Sequence, residues 1–176
     1  MKKIVTLIIA LVISAVAFAQ EDNYDKLVEK CIKSNGTYAF YENVVDQMFT
    51  MLEKQYASQE VPVTVWNELK RLKEPSLDDL GQMIVSAYRT HFTNQDVKNM
   101  NRLYATQAGQ KMFKSEYDLT EGDKEVLTEF YRSETGQKIT GSQDSMNTAM
   151  SEISEMWRSN FYQAVVEKLS KKGFNL

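Results

Sequence analysis

Apolar residues along this chain fall mostly at three- and four-residue spacing, the repeat of a helix with one buried face. Leu27, Val28, Cys31 and Ile32 line a first helix predicted over about Asn23 to Ser34, capped by Asn23 and stopped by Asn35-Gly36. Thr37 is the expected cap of a longer second helix with the stripe Phe40, Tyr41, Val44, Val45, Met48, Phe49, Leu52 and Tyr56. Pro62 suits the first turn of a third helix. Trp66, Leu69 and Leu72 make that helix a short amphipathic piece that must finish before Pro75. Ser76 with Asp79 reads as a capping box opening a fourth helix, with Leu77, Leu80, Met83, Ile84, Ala87 and Tyr88 on its apolar side. Alternating runs are short, and the chain has only two prolines and seven glycines, so strands are not expected.

A second pattern lies on top of the first. Residues 92 to 113 and 119 to 140 align without a gap, and Thr93, Asp96, Tyr104, Gly109, Gln110 and Lys111 recur as Thr120, Asp123, Tyr131, Gly136, Gln137 and Lys138. Met100/Leu127 and Leu103/Phe130 match in kind. In each unit Thr-x-x-Asp starts a helix of about three turns. Thr106 or Ser133 then caps a following helix that carries Gly-Gln-Lys. Each unit is thus a helix hairpin that must pack against its partner.

Beyond the second unit, Ile139, Met146, Met150, Ile153, Trp157, Phe161, Ala164, Val165 and Leu169 keep the helical rhythm, with a kink or break possible at Gly141. Lys168, Lys171 and Lys172 suit the negative end of that helix, and Gly173 its cap. The expectation is an all-α bundle of about seven helices, holding two tandem helix-hairpin repeats and a long C-terminal helix.

Lys2 and Lys3, the apolar run from Ile4 to Phe18 and the small-x-small triplet Ala17-Phe18-Ala19 read as a signal peptide over residues 1–19, cut before Gln20. The run is shorter than the roughly 20 residues a spanning helix needs. The expected product is one all-α domain over residues 20–176, exported to the periplasm or secreted, with no stable membrane anchor after signal removal. Losing Lys2 and Lys3 makes the net charge of −3 more negative by two, which gives no general attraction for nucleic acid. Cys31 is the only cysteine and cannot form an intramolecular disulfide; it is buried and inert, or reactive.

Candidate chemistry is thin. His91 is the only histidine, so spacing supports neither a zinc cluster nor a His-based catalytic set, and no glycine-rich phosphate loop is present. No cofactor and no metal is expected. Asp78-Asp79, Glu152/Glu155 and Asp96/Asp123 read as helix N-terminal charges or exposed faces, although a carboxylate-only enzyme stays open. Gly-Gln-Lys admits two readings. In one, Gly109 and Gly136 allow close helix contact while Gln110, Lys111, Gln137 and Lys138 are solvated. In the other, the helix starts bind an anion. Tyr104 and Tyr131 bury a ring, or act in catalysis if a partner lowers their pKa. Met146, Met150 and Met156 with Trp157 and Phe161 are core, or an adaptable groove.

The stretch Phe130 to Lys138, preceded by Leu119-Thr120-Glu121-Gly122-Asp123, resembles the signature of a bacterial family known as domain of unknown function 2059. Phe92 to Phe113 looks like a weaker copy, with Leu103-Tyr104-Ala105-Thr106 in place of Phe130-Tyr131-Arg132-Ser133. The resemblance covers about residues 80 to 165. Glu134 stands where members often carry proline. The resemblance implies a helical fold and an envelope location, and it brings no catalytic residue. The expected function is a non-enzymatic binding or scaffolding module acting on an envelope protein. The alternatives are a carrier of a small apolar ligand or lipid and, third, a carboxylate-dependent enzyme.

Overall fold

The structure is a computed structural model that describes residues 23–114 and 118–175. The signal peptide expected over residues 1–19 lies outside the described residues. Among the described residues the fold is all-α, with no strand. In chain order the helices are α1 (residues 23–34), α2 (Thr37–Gln55), α3 (Val63–Lys70), α4 (Lys73–His91), α5 (Asn94–Tyr104), α6 (Gln107–Met112), α7 (Glu121–Arg132), α8 (Glu134–Gly141) and α9 (Gln143–Lys171). A single 3-10 turn, Ala57–Gln59, joins α2 to α3.

The core is built on α9, which packs on α4, with α2 against α4 and reaching α9 through its aromatic side chains. Ile153, Trp157, Phe161, Val165 and Leu169 form its buried edge, one residue per turn. Trp157 meets Tyr41 edge-on at 5.3 Å and stacks on Phe161 at 6.0 Å, and Phe161 meets Phe49 at 5.7 Å. The Trp157 indole N–H donates to the Ser76 carbonyl at 2.7 Å, which satisfies its one polar atom inside the core. At the far end, Lys172 pairs with Glu68 at 2.8 Å and ties the end of α9 to α3.

Helix ends depart from expectation in several places. Asn23, expected as the cap of α1, is itself helical. Gly36, at φ 82°, precedes α2 in place of a Thr37 cap, and the Asn35 side chain accepts from the Thr37 N–H at 3.0 Å. Ser76 does not open α4. That helix begins at Lys73, and Pro75 sits in its first turn, where the N–H that proline lacks has no intrahelical partner to lose. The first backbone bond after it runs from the Ser76 N–H to the Leu72 carbonyl at 3.1 Å.

Some expected core positions are not core. Phe40 is 61 % exposed and Ala164 is exposed, so the stripes of α2 and α9 are narrower than the spacing suggested. Met146 and Met150 pack on the core, whereas Met156 is half-exposed on another face, so the three do not form one groove. The chain also turns at Ser142, whose hydroxyl donates to the Lys138 carbonyl at 2.7 Å. That turn separates α8 from α9 at the break expected near Gly141.

Cys31 is fully buried, with its thiol 4.0 Å from the Tyr88 hydroxyl, and burial pushes its pKa up to about 12. A thiol held in this way is protonated at any physiological pH and inert.

Candidate functional site

The two hairpins, α5–α6 and α7–α8, lie against each other through α6 with α7 and α5 with α8. Their connections share one chemistry. Thr93 and Thr120 each form a capping box with Asp96 and Asp123, the hydroxyl accepting from the aspartate N–H at 3.2 Å in both. Thr106 and Ser133 then cap α6 and α8, accepting from the N–H of Gly109 at 3.0 Å and Gly136 at 3.2 Å.

The glycines sit where a helix start presses on the end of the helix before it. A Cβ on Gly109 would lie 2.0 Å from the Leu103 carbonyl oxygen, and one on Gly136 would lie 2.3 Å from that of Phe130 and 2.4 Å from the Tyr131 Cα. All of these neighbours are backbone, which cannot swing away as a side chain could.

The lysines of Gly-Gln-Lys are paired, where one reading left them free in solvent, and their pairing crosses between hairpins. Lys111 of the first donates to Asp123 of the second at 2.7 Å, and Lys138 of the second donates to Asp96 of the first at 3.0 Å. Lys138 also reaches Glu134 at 3.2 Å. Thr135 donates to the second oxygen of Asp96 at 2.8 Å, and the Asn99 amide donates to Thr135 at 3.0 Å. Gln110 and Gln137 stay exposed, and Gln137 donates back to the Arg132 carbonyl at 3.2 Å.

These bonds set the charge state of both aspartates. Burial raises the Asp96 pKa, but bonds from Thr93, Lys138 and Thr135 outweigh it and hold the carboxyl well below the usual carboxylate range. Asp123, held by Lys111 and by the N–H and hydroxyl of Thr120, is lowered to about 2. Both carboxylates are therefore ionised and hydrogen-bonded, and each lysine is paired with one of them. An anion arriving at either helix start would have to displace a carboxylate already in place.

Tyr104 and Tyr131 differ. Tyr104 is half-buried against the core, beside Phe113 at 5.0 Å, while Tyr131 is 40 % exposed. Burial raises both phenols, the opposite of what a catalytic phenolate requires. The hairpins also differ in burial: α5 buries Val97, Met100 and Leu103, but the only buried residue of α7 is Asp123.

That difference leaves an open groove of about 370 Å³ between α5 and α7. Leu103, Val126 and Phe130 give it an apolar strip, with Arg102 on the α5 wall and Glu129 on the α7 wall. Val126 is 41 % exposed. Sequence spacing assigned Leu103 and Phe130 to apolar faces but carried no sign that α7 would keep its face uncovered.

Elsewhere, a half-open cleft of about 270 Å³ lies between α4 and α9, lined by Leu72, Pro75, Met83, Trp157, Phe161 and Ala164 among others. Asp78, Asp79, Glu152 and Glu155 are exposed. His91 ends α4 with its ring 6.1 Å from that of Phe92. Among the described residues no group of three or more His, Cys, Asp or Glu side chains could hold a metal ion, and no helix is long and apolar enough to cross a membrane.

The stretch that holds the first hairpin is also where similarity to other proteins lies. Residues 78–126 match the family DUF2059, described as an uncharacterised protein conserved in bacteria. The match holds most of α4, the whole first hairpin and α7 as far as Val126. It stops short of Phe130 to Lys138, so the first unit, the weaker copy by sequence, is the one the family covers in full. No curated protein and no solved structure matches the chain.

Proposed function

We propose that this protein is a non-enzymatic binding or scaffolding module of the bacterial cell envelope, and that the α5–α7 groove is its working surface. The observation that carries the reading is α7 itself. It is an amphipathic helix whose exposed Val126 lines an open groove, beside Phe130, which is half-buried against the core. Asp96 and Asp123, the buried carboxylates of the two hairpins, are already paired with Lys138 and Lys111, which supports recognition over acid–base chemistry. The sequence supports an exported protein through the signal peptide expected over residues 1–19.

A second reading, carriage of a small apolar ligand or lipid, draws on the cleft between α4 and α9, where Trp157, Phe161 and Met83 offer an apolar wall. Affinity capture from the envelope fraction separates the two, with mass spectrometry of both proteins and extracted lipids. The groove reading expects a protein partner held by wild type and lost from Val126→Asp, a substitution at an exposed position that leaves the fold intact. A lipid retained equally by both forms favours the cleft. Identical protein profiles from wild type and variant overturn the groove reading.

A further inference from the structure

We propose that the α5–α7 groove is closed by a second copy of this chain, packed through a two-fold axis. The inference rests on the reading of that groove as a binding surface and adds the identity of its occupant. The observation that selects the occupant is the distribution of charge. Arg102 stands on the α5 wall and Glu129 on the α7 wall, with Leu103, Val126 and Phe130 between them. Among the described residues neither charge forms an ion pair; the only polar contact of Arg102 is a 3.3 Å bond to Asn99.

Covering the apolar strip takes water from both charges, so the covering surface must supply an anion opposite Arg102 and a cation opposite Glu129. The same groove turned by a two-fold rotation presents that arrangement. Arg102 of each copy meets Glu129 of the other, and the apolar strips meet between the two pairs. A two-fold contact uses one patch on both partners, so one strip, exposed at Val126, with one charge of each sign suffices. The groove is small beside the area that stable complexes bury, so the dimer is weak and forms with rising concentration.

The contact has a signature that a structural role for either residue does not share. Arg102→Glu places two carboxylates at each pair position, and Glu129→Arg places two cations there, so each variant alone is monomeric. Mixed, the two variants regain opposite charges at both pair positions and form a heterodimer.

Sedimentation velocity from low-micromolar to near-millimolar concentration reads this directly, with native mass spectrometry of the mixture. Both substituted side chains are exposed, and circular dichroism checks that the variants fold. The expected results are a monomer–dimer equilibrium for wild type, its loss in each variant, and dimers holding one copy of each variant on mixing. A wild type that stays monomeric, or variants that remain monomeric when mixed, overturns the second copy as occupant. If wild type is monomeric yet capture of an envelope protein still depends on Val126, the groove binds a different partner and only the present inference falls. If that capture is also indifferent to Val126→Asp, the groove reading falls with it.

Discussion

A methyl group on Gly136 would lie 2.3 Å from the Phe130 carbonyl oxygen, closer than any van der Waals contact allows, and Gly109 is placed in the same way. Alanine is the better helix former by about 1 kcal/mol, but forcing a methyl into a filled site costs about 1–3 kcal/mol. The obstacle at Gly136 is backbone, so the upper part of that range applies and Gly136→Ala lowers the melting temperature. Lys138→Ala also lowers it, by less, because Asp96 keeps its bonds from Thr93 and Thr135. Thermal melts of wild type and both variants, with and without phosphate, check this. Phosphate protection that depends on Lys138, together with a melting temperature raised by Gly136→Ala, contradicts the packing role. Sequence made the glycines legible as points of close approach, because only a shared steric problem explains the same residue in both units. The lysine partners were not legible. Lys111 and Asp123, or Lys138 and Asp96, are brought together by the stacking of hairpins, and no spacing along one helix encodes that.

At the scale of the elements, two capping aspartates do two tasks each: they start α5 and α7, and they hold the opposite hairpin through a lysine. Both pKa values are lowered on folding, so both groups bind a proton less readily in the folded state than in the unfolded chain, where an aspartate titrates near about 3.9. Their stabilisation is fully present above that value and is lost as pH falls through the folded pKa. For Asp123 the window runs from about pH 4 down to about pH 2, set by its folded value of about 2. Asp123→Asn is therefore less stable than wild type at neutral pH, and the difference shrinks across that window. Melting temperatures between pH 7 and pH 2 test this; a difference that is constant with pH removes the carboxylate from the account. The helices themselves were largely legible, since apolar stripes and Thr-x-x-Asp caps are local signals. An error came where tertiary context chose the boundary, at Pro75, which sits inside the first turn of α4, whereas the break between α8 and α9 falls at Gly141, where the sequence suggested it.

For the whole molecule, α9 organises the core with α2 and α4, and the two hairpins extend from it as a cross-braced pair. The first hairpin contributes Val97 and Met100 to that core, while the second is held by α6 against α7 and by α5 and α9 against α8, and leaves Val126 of α7 exposed. An all-α architecture followed from periodicity alone. Which amphipathic face would stay uncovered did not, because Val126 and Phe130 obey the same spacing as buried residues do. The central claim is that this uncovered face is where the protein meets its partner. The most direct measurement is site-specific photo-cross-linking in living cells, with the photoreactive residue at Val126 and, as a control, at the exposed Asn67 on α3. The account predicts defined adducts from position 126 and few or none from position 67. No adduct from 126, or the same adducts from both positions, contradicts it.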